Sequence, residues 1–407
     1  MSEILKNTRI ILGITGSIAA YKSVILARLL KKEGANIDVV MSDGATRFVT
    51  PLTLKGITHE LVMSDMYDLK SYLKINHVSV AERCDLIVIA PATANTIAKL
   101  ANGFADNPVT ATVLASRSPI VICPAMDGFM YKNPITLENI SRLKSRGFIV
   151  LGPESGPLAS GLSGEGRMIE PEKILENIKT TLGQTFGDLK GIKIVVSAGG
   201  TREKLDPVRL LTNRSSGKMG YALAETARDR GAKVVLVSAS KIESPVGVSF
   251  KPVDSAKDME KIVLNECSDA NVLIMAAAVS DWTPISTHDQ KIKKGTDDSL
   301  EIKLVKTSDI LAKLSTNKKL IKVGFAAETE KLVLNAKKKL VEKKLDIIAA
   351  NDVSFPDSGF ESENNKIILF DSQGGVDDLG MLTKYQASTK ILDKIKTIIK
   401  IEPKRNG

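Results

Sequence analysis

The chain has 407 residues, of which 43% are hydrophobic and 26% charged, so two or three folded domains are expected rather than a disordered or fibrous chain. Lys and Arg outnumber Asp and Glu by 57 to 47, and the resulting net charge of +10 attracts anions of any kind. Aromatic residues make up only 4% and no nucleic-acid-binding motif is present, which argues against nucleic acid, although small phosphorylated ligands suit the charge equally well.

No apolar run reaches the ~18 residues of a membrane-spanning helix, and the first nine residues lack the layout of a signal peptide. The expected location is therefore the cytoplasm. The three cysteines are scattered and form no C-x-x-C pair, which predicts reduced thiols and no structural zinc site.

The first half of the sequence alternates β-branched runs with helical stretches. Apolar spacing of three and four residues predicts helices at Ile18–Lys32 and Ile135–Arg146. Strands are predicted at Arg9–Thr15, Ile37–Met41, Leu86–Ala90, Ile120–Pro124 and Phe148–Leu151. This alternation predicts a mostly parallel, doubly wound sheet with helices on both faces.

A second unit of the same kind begins near Lys190 with a predicted strand at Ile192–Ser197. The segment from Ala224 repeats the pattern of the segment from Ala27: a helix, a glycine stop and a strand. Near the C-terminus we predict a Lys-rich helix at Lys331–Lys344 and a strand at Ile347–Asn351. We therefore predict two α/β domains, residues 1–187 and 188–407.

Two loops contain glycine at the start of a helix. Gly13–Ser17 follows the first strand, where free N–H groups favour a phosphate, although a tight turn with Ser17 as N-cap is the simpler alternative. Its spacing is not that of a dinucleotide fingerprint. Ser215–Gly220 fails the Walker A pattern, but with Asn213, Arg214 and Lys218 it presents hydrogen-bond donors to an anion.

Three further features have both a structural and a functional interpretation. The loops after LIVIAP and IVICPA are expected to converge on one crevice. His77, one of three histidines, is suited to general-base chemistry, although a lone histidine is usually structural. Lys339 and Lys343 share one helix face, an arrangement able to hold a triphosphate, although lysine clusters are usually solvated.

Blocks along the whole chain resemble a known family. GITGSIAAYK, NHVSVAERCDLIVIAPATAN, PAMDGFMY and GPLASGLSGEGRM resemble the flavin-dependent cysteine decarboxylases. AGGTREKLDPVRLLTNRSSGKMG, AAAVSDW, KIKK, VGFAAET and ANDVS resemble phosphopantothenate–cysteine ligases. In this order, the blocks are similar to the bifunctional proteins of coenzyme A biosynthesis. The resemblance implies a flavodoxin-like flavoprotein domain followed by a Rossmann-like ligase domain.

For the first domain, the resemblance implies bound flavin mononucleotide (FMN) and decarboxylation of the ligase product to 4′-phosphopantetheine. His77 takes the place of the base, and Met126 and Arg167 are expected to contact the substrate. The residues expected beside FMN are Gly16, Ser17, Ser42, Thr93 and Asn95. Two positions depart from the family pattern: Asp127 replaces an asparagine, and Ser160 replaces the flap cysteine that protonates the product.

For the second domain, the resemblance implies that CTP, with Mg²⁺, activates 4′-phosphopantothenate as an acyl-cytidylate, which the amine of cysteine then attacks. Asn213 takes the place of the residue that holds this intermediate. The residues expected around CTP are Ala277, Ala278, Asp281, Lys291, Phe325, Lys339 and Lys343. Lys291 is also implicated in the second half-reaction. The metal ligands are not identified.

The leading hypothesis is this two-step enzyme. One alternative is an active ligase whose altered flavin domain serves only as an oligomerisation scaffold, for which Asp127 and Ser160 are the argument. Another is a flavin-binding regulatory subunit, which would have no need of the Asn213, Asp281 and Lys291 set. The resemblance implies small-molecule partners, no nucleic acid or membrane, and a homo-oligomer built from trimeric flavin domains and dimeric ligase domains.

Overall fold

The computed structural model describes residues 3–60, 62–66, 77–293, 300–328, 332–352 and 362–399. The chain divides into two units, Met1–Leu182 and Gly183–Gly407. The boundary inferred from the sequence, between residues 187 and 188, stays a prediction. No helix within the described residues is long and apolar enough to cross a membrane.

The first unit contains a six-stranded parallel sheet in the order β3-β2-β1-β4-β5-β6. The strand order reverses between β1 and β4, as in doubly wound folds. Its strands are β1 (Arg9–Ile14), β2 (Asn36–Met41), β3 (Val62–Met63), β4 (Leu86–Ala92), β5 (Ile120–Pro124) and β6 (Ile149–Val150). An antiparallel hairpin, β7 (Glu154–Pro157) and β8 (Ser163–Arg167), follows the sheet.

Helices cover both faces of this sheet. They are α1 (Ala20–Lys32), α2 (Asp43–Thr46), α3 (Pro51–Thr58), α4 (His77–Glu82), α5 (Ala94–Asn102), α6 (Pro108–Ala115), α7 (Gly128–Lys132), α8 (Pro134–Ser145) and α9 (Pro171–Phe186). The predicted strands and helices are confirmed to within two residues at each end. The sequence patterns missed β3, which has only two residues, and the β7–β8 hairpin, whose strands are partly buried and carry no apolar run.

The strands of the first unit are buried on both sides, which explains their continuous apolar runs. On β1, Ile10 and Leu12 enter one hydrophobic cluster with α1, whereas Ile11 enters the opposite cluster. Successive side chains of a strand point to opposite faces, so one short run supplies both cores.

The second unit contains an eight-stranded sheet in the order β13-β12-β9-β14-β17-β18-β19-β20, parallel as far as β18 and antiparallel beyond it. Its strands are β9 (Lys193–Ala198), β12 (Lys233–Ser238), β13 (Ser249–Pro252), β14 (Val272–Met275), β17 (Ile321–Glu328), β18 (Ile347–Asp352), β19 (Asn364–Asp371) and β20 (Val376–Thr383). Two hairpins lie beside it: β10 (Arg202–Lys204) with β11 (Leu210–Thr212), and β15 (Trp282–Pro284) with β16 (Leu304–Lys306).

The helices of the second unit are α10 (Lys218–Asp229), α11 (Ala256–Glu266), α12 (Ile310–Lys313), α13 (Leu332–Glu342) and α14 (Lys384–Ile398). α10 and α14 pack into the cluster on one face of the sheet, and α11, α12 and α13 into the cluster on the other. The prediction of two doubly wound, mostly parallel α/β domains is confirmed, as is the repeated helix–glycine–strand pattern.

Candidate active sites

The first unit has a cavity of about 940 Å³ at the carboxyl edge of its sheet. The loops that follow β1, β2, β4 and β5 all reach it, and the β7–β8 hairpin forms a further wall. Ligands of doubly wound sheets bind at this edge, where the strand order reverses. The volume lies near the upper end of the ~300–1,000 Å³ typical of ligand sites.

All five residues expected beside a flavin line this cavity: Gly16, Ser17, Ser42, Thr93 and Asn95. Ser17 is not the N-cap of α1, because the helix begins only at Ala20; instead, the Ser17 hydroxyl accepts a hydrogen bond from Ala19 N at 3.2 Å. A Cβ on Gly16 would lie 3.0 Å from the Gly44 backbone, so a larger residue here would push these two loops apart by a few tenths of an ångström.

The loops after β1 and β4 are joined by one threonine. The hydroxyl of Thr15 donates to Pro91 O at 2.7 Å and accepts from Thr93 N at 3.1 Å. The Thr93 side chain in turn caps α5 by accepting from Thr96 N. This chain of hydrogen bonds holds Thr93 and Asn95 at the cavity wall.

The two departures from the family pattern lie in contact. Ser160, in the turn of the β7–β8 hairpin, donates from Oγ to Asp127 Oδ2 at 2.8 Å. Asp127 caps α7 by accepting from Phe129 N at 3.0 Å, and the hydrogen bonds from Phe129 N and then Ser160 hold the pKa of its carboxyl below the usual range. Asp127 is therefore ionised at neutral pH, and the hairpin turn is tied to it.

Of the remaining residues expected in the decarboxylase site, two line the cavity and one does not. Met126 and Arg167 line the cavity, and Arg167 also pairs with Glu170 at 2.5 Å. His77, the half-buried first residue of α4, is not among the lining residues described. Cys123 is fully buried and its pKa is strongly raised by burial, so this thiol is a poor proton donor to the cavity.

The second unit has a cavity of about 800 Å³ at the carboxyl edge of its own sheet. The strand order again reverses at this edge, between β9 and β14. The loops after these strands are fastened together: Ala277 N donates to Ser197 Oγ at 3.2 Å, and Ala278 N donates to Gly199 O at 2.9 Å. Six of the residues expected around CTP line the cavity: Ala277, Ala278, Asp281, Phe325, Lys339 and Lys343.

The two lysines of α13 are oriented by neighbouring acceptors. Lys339 Nζ donates to Phe325 O at 3.0 Å, and Lys343 pairs with the carboxylate of Asp309. Burial by itself would raise the pKa of Asp309, but the hydrogen bond from Lys343 brings it below its usual range. Two ammonium groups and an ionised carboxylate therefore lie at this wall of the cavity.

The structure does not bring Asn213 or Lys291 into the cavity lining. The Asn213 amide donates to Val279 O at 3.3 Å, and Val279 is itself a lining residue, so Asn213 lies next to the cavity. Lys291 is exposed; the backbone of its neighbour Ile292 is held by Asp206 and Arg209.

No group of three or more His, Cys, Asp or Glu side chains able to hold a metal ion occurs in the part of the chain that the structure describes. The carboxylates at the second cavity are those of Asp281 and Asp309. Of these two carboxylates, that of Asp309 is paired with Lys343.

Comparison with known proteins matches both units. The family model described as Flavoprotein matches residues 1–183, and that described as DNA/pantothenate metabolism flavoprotein C-terminal domain matches residues 189–399. The coenzyme A biosynthesis bifunctional protein CoaBC of Bacillus subtilis (strain 168) is 42% identical over 97% of this chain and 98% of its own. The chain belongs to the CoaBC family. Its Escherichia coli (strain K12) relative is 39% identical over 97% of this chain and 98% of its own.

Two similar solved structures each cover about half of the chain. The C-terminal domain of a CoaBC protein is 38% identical, covers 53% of this chain and 98% of that chain, and has a TM-score of 0.46. The FMN-dependent cysteine decarboxylase SpaF is 29% identical, covers 44% of this chain and 97% of that chain, and has a TM-score of 0.38.

Membership of the CoaBC family makes this chain an enzyme of coenzyme A biosynthesis that unites flavoprotein decarboxylase and ligase activities and acts on small molecules. The prediction of this family from sequence blocks is confirmed.

Several residues that line the two cavities of this CoaBC protein were not predicted as site residues from the sequence. In the first unit, buried Lys22 lines the cavity and donates to Met168 O at 2.8 Å and to Glu170 Oε1 at 2.9 Å. In the second, the lining includes Asp309, Asn351, Asn365 and Lys384. Lys22 is the last residue of the segment GITGSIAAYK, which belongs to the family resemblance. Hydrophobic periodicity does not distinguish a lysine that lines a cavity from a lysine in solvent.

Proposed function

We propose that the second unit joins cysteine to 4′-phosphopantothenate at the expense of CTP, through an acyl-cytidylate, and that the first unit uses FMN to decarboxylate the product. The observation that carries this proposal is the clustering of the family-matched residues: the flavin set lines one carboxyl-edge cavity, and six residues of the nucleotide set line the other. A chance resemblance would not gather residues so far apart in sequence around two pockets.

The first cavity fits FMN in size and chemistry. The Gly16–Ser17 loop lies just ahead of α1, where a helix start suits a phosphate, although Ser17 N itself donates to Thr15 O at 2.9 Å. Bound flavin would supply the oxidation of the substrate's thiol-bearing carbon that makes loss of the neighbouring carboxylate feasible. His77 is proposed as the base; it lies outside the described lining, so the bound substrate would have to extend towards it.

Asp127 and Ser160 are proposed to alter the end of the decarboxylase reaction. A serine hydroxyl is a much weaker acid than a thiol, whose ordinary pKa is ~8.5, and the Ser160 hydroxyl already donates a hydrogen bond to Asp127. Cys123 is too deeply buried to replace the missing acid. We expect a fraction of the oxidised, decarboxylated enethiol to leave beside 4′-phosphopantetheine.

The Asp127–Ser160 contact also favours the second candidate function, an active ligase with an altered flavin domain. An ionised Asp127 repels the substrate carboxylate that an asparagine would bind, so substrate affinity of the first cavity would fall. Release of CO₂ by the purified protein separates the two candidates.

In the second cavity, Lys339 and Lys343 are proposed to offset the charge of the triphosphate, while Asp281 and Asp309 offer carboxylates for Mg²⁺. Nucleotidyl transfer turns the carboxylate oxygen of the substrate into a good leaving group. Asn213 would hold the acyl-cytidylate, and Lys291 would act when cysteine attacks. Both lie outside the described lining, so the loops that carry them would have to approach the bound substrates.

The deciding experiment is direct. The full chain is purified, the yellow absorption of bound flavin is recorded, and mass spectrometry follows 4′-phosphopantothenate, cysteine and CTP to CMP, CO₂ and the sulfur-containing products. ATP in place of CTP serves as the nucleotide control. A colourless protein that takes up no flavin would refute the first activity, and failure to form 4′-phosphopantothenoylcysteine would refute the second.

We also propose a homo-oligomer in which flavin domains form trimers and ligase domains form dimers, as the family resemblance implies. Light scattering of the full chain and of its separated halves tests this arrangement. The cytoplasmic location expected from the sequence stays a prediction.

A further inference from the structure

A buried carboxylate holds the segment that carries Lys291 to a neighbouring hairpin. This segment, which we call the strap, comprises residues 285–293 and follows β15. Asp206 lies in the turn between β10 and β11, and its Oδ2 accepts a hydrogen bond from Ile292 N at 3.1 Å. Ile292 is the residue after Lys291, so this contact fixes the backbone beside the Lys291 side chain.

The side chain of Asp206 is 0% exposed, and each of its two oxygens has two donors. Oδ1 accepts from Val208 N and Arg209 N, both at 2.7 Å. Oδ2 accepts from Arg209 Nη1 at 3.2 Å as well as from Ile292 N. Burial by itself would raise the pKa of Asp206, but the hydrogen bonds from these backbone N–H groups bring it below the usual range. Asp206 is therefore an ionised carboxylate whose acceptor positions are all in use.

Further hydrogen bonds join the β10–β11 hairpin to the strap, to β15 and to α11. His288 N, in the strap, donates to Leu205 O at 3.0 Å. Glu203, a buried residue of β10, accepts from Thr283 Oγ1 of β15 at 2.9 Å and from Ala256 N, at the start of α11, at 2.8 Å. The hairpin is therefore fixed to the body of the second unit, and it fixes the strap in turn.

The same hairpin leads directly to Asn213. β11 ends at Thr212, whose hydroxyl donates to Thr201 O at 2.8 Å, and Asn213 is the next residue. Neither Asn213 nor Lys291 is among the described residues that line the second cavity. Both are nevertheless connected to one short hairpin, Asn213 through the chain and Lys291 through the strap. The placement of one relative to the other therefore depends on the contacts of the hairpin turn.

We propose that Asp206 is a positioning residue of the ligase: by holding Ile292, it places Lys291 relative to Asn213 for the attack of cysteine on the acyl-cytidylate. The inference rests on the proposed ligase function and on the roles expected of Lys291 and Asn213. Because the Asp206 side chain is buried, its effect passes through the strap and not through contact with a substrate. A reacting group displaced by ~1 Å can lose about a hundredfold in rate.

Hydrogen exchange of the full chain tests the contact without any substrate. Asp206→Asn keeps the size of the side chain, but its one amide oxygen can accept from only two of the four donors. Peptides that span residues 285–293 are expected to exchange about tenfold faster in Asp206→Asn than in the wild type, as measured by mass spectrometry. Unchanged exchange of the strap would overturn the inference.

Asp371→Asn is the matched control. In the turn between β19 and β20, Asp371 Oδ1 accepts from Gln373 N at 2.9 Å and from Gly375 N at 2.8 Å, and Oδ2 pairs with Lys394 at 2.8 Å. The substitution is therefore the same, in a hairpin turn with a cationic partner, but these contacts do not reach the strap. Asp371→Asn should leave both the exchange of the strap and the attack of cysteine unchanged.

The two half-reactions separate positioning from a general loss of stability. Formation of the acyl-cytidylate releases pyrophosphate, whereas attack by cysteine releases CMP. In single-turnover assays, Asp206→Asn is expected to slow CMP release about tenfold or more and to leave the rate of pyrophosphate release close to that of the wild type. Equal slowing of both half-reactions, or the same slowing in Asp371→Asn, would overturn the inference.

A double substitution shows whether Asp206 acts through Lys291. If it does, Asp206→Asn should slow CMP release little further in a chain that already carries Lys291→Gln. Effects of the two substitutions that simply multiply would overturn the inference and leave the ligase proposal standing. If the wild type releases no pyrophosphate from CTP, the ligase proposal fails and this inference fails with it.

Discussion

Lys22 offers the sharpest test of how the first cavity is built. Its side chain is 5% exposed and extends from α1 to the residues that follow the β7–β8 hairpin, where it donates to Met168 O and Glu170 Oε1. Lys22→Met keeps an unbranched four-atom side chain in place of the lysine stem and removes the ammonium group with both of its hydrogen bonds. The perturbation therefore reports on the connection between the helix that begins beside the predicted phosphate loop and the hairpin that carries Ser160.

Two lost contacts determine how much Lys22→Met lowers the free energy of unfolding. The carbonyl of Met168, a residue only 1% exposed, loses its donor, and an unsatisfied buried polar group costs ~1–3 kcal/mol. The ion pair with Glu170, whose side chain is 36% exposed, contributes ~1 kcal/mol or less. Relief of the buried charge offsets part of this sum, so we expect a loss of about 2 kcal/mol. For a unit of this size, that corresponds to a Tm lower by about 4–8 °C.

Thermal and urea unfolding of the full chain measure this loss, with the transition of the first unit identified by its upward shift when FMN is added. Lys32→Met, exposed near the end of the same helix, is the control and should change stability by no more than ~0.5 kcal/mol. Glu170→Gln should cost less than Lys22→Met, because the Met168 carbonyl keeps its donor. Equal effects of Lys22→Met and Lys32→Met would refute the argument.

The pH dependence gives an independent check. The hydrogen bond from Lys22, with its positive charge, holds the pKa of Glu170 below the usual range. A carboxyl with a lowered folded-state pKa stabilises the fold above its ordinary pKa, and this contribution disappears as the pH falls through the folded-state value. The difference in the free energy of unfolding between the wild type and Lys22→Met should therefore become smaller as the pH falls. The contribution of the hydrogen bond to the Met168 carbonyl to that difference should remain.

Four further substitutions test the proposed chemistry. Ser17→Asp should abolish FMN binding, because it places a carboxylate against the flavin phosphate; flavin fluorescence measures this, and retained binding would place the phosphate elsewhere. Ser160→Cys should shift the product from enethiol towards 4′-phosphopantetheine, seen by mass spectrometry; wild-type conversion that is already complete would show that another acid serves. His77→Asn should stop CO₂ release without affecting ligation. Lys291→Gln should slow cysteine ligation at least tenfold in a CMP-release assay; an unchanged rate would exclude it from the reaction.

The order of strands and helices was largely determined by local sequence. Buried parallel strands need continuous apolar runs, as in LIVIAP, and the helices between them need apolar residues three and four apart. These requirements act on one element at a time, so a single sequence displays them.

The family blocks carried the site prediction further, because residues that bind one ligand recur at fixed places in the loops. The five residues predicted beside a flavin line the first cavity and six of those predicted around CTP line the second, while their roles there stay predictions. The family blocks did not indicate that Asn213 and Lys291 lie outside the described lining.

Only the tertiary structure decided which side chains meet. Asp127 and Ser160 are two separate anomalies in the sequence, yet one hydrogen bond joins them across 33 positions. Lys22 reaches Met168 across 146 positions, and Lys384 and Lys218 share a cavity although they begin different helices. Hydrophobic periodicity records whether a residue is buried, but the partner of a polar side chain depends on how distant loops converge at the ends of the strands. That convergence is a property of the assembled sheet.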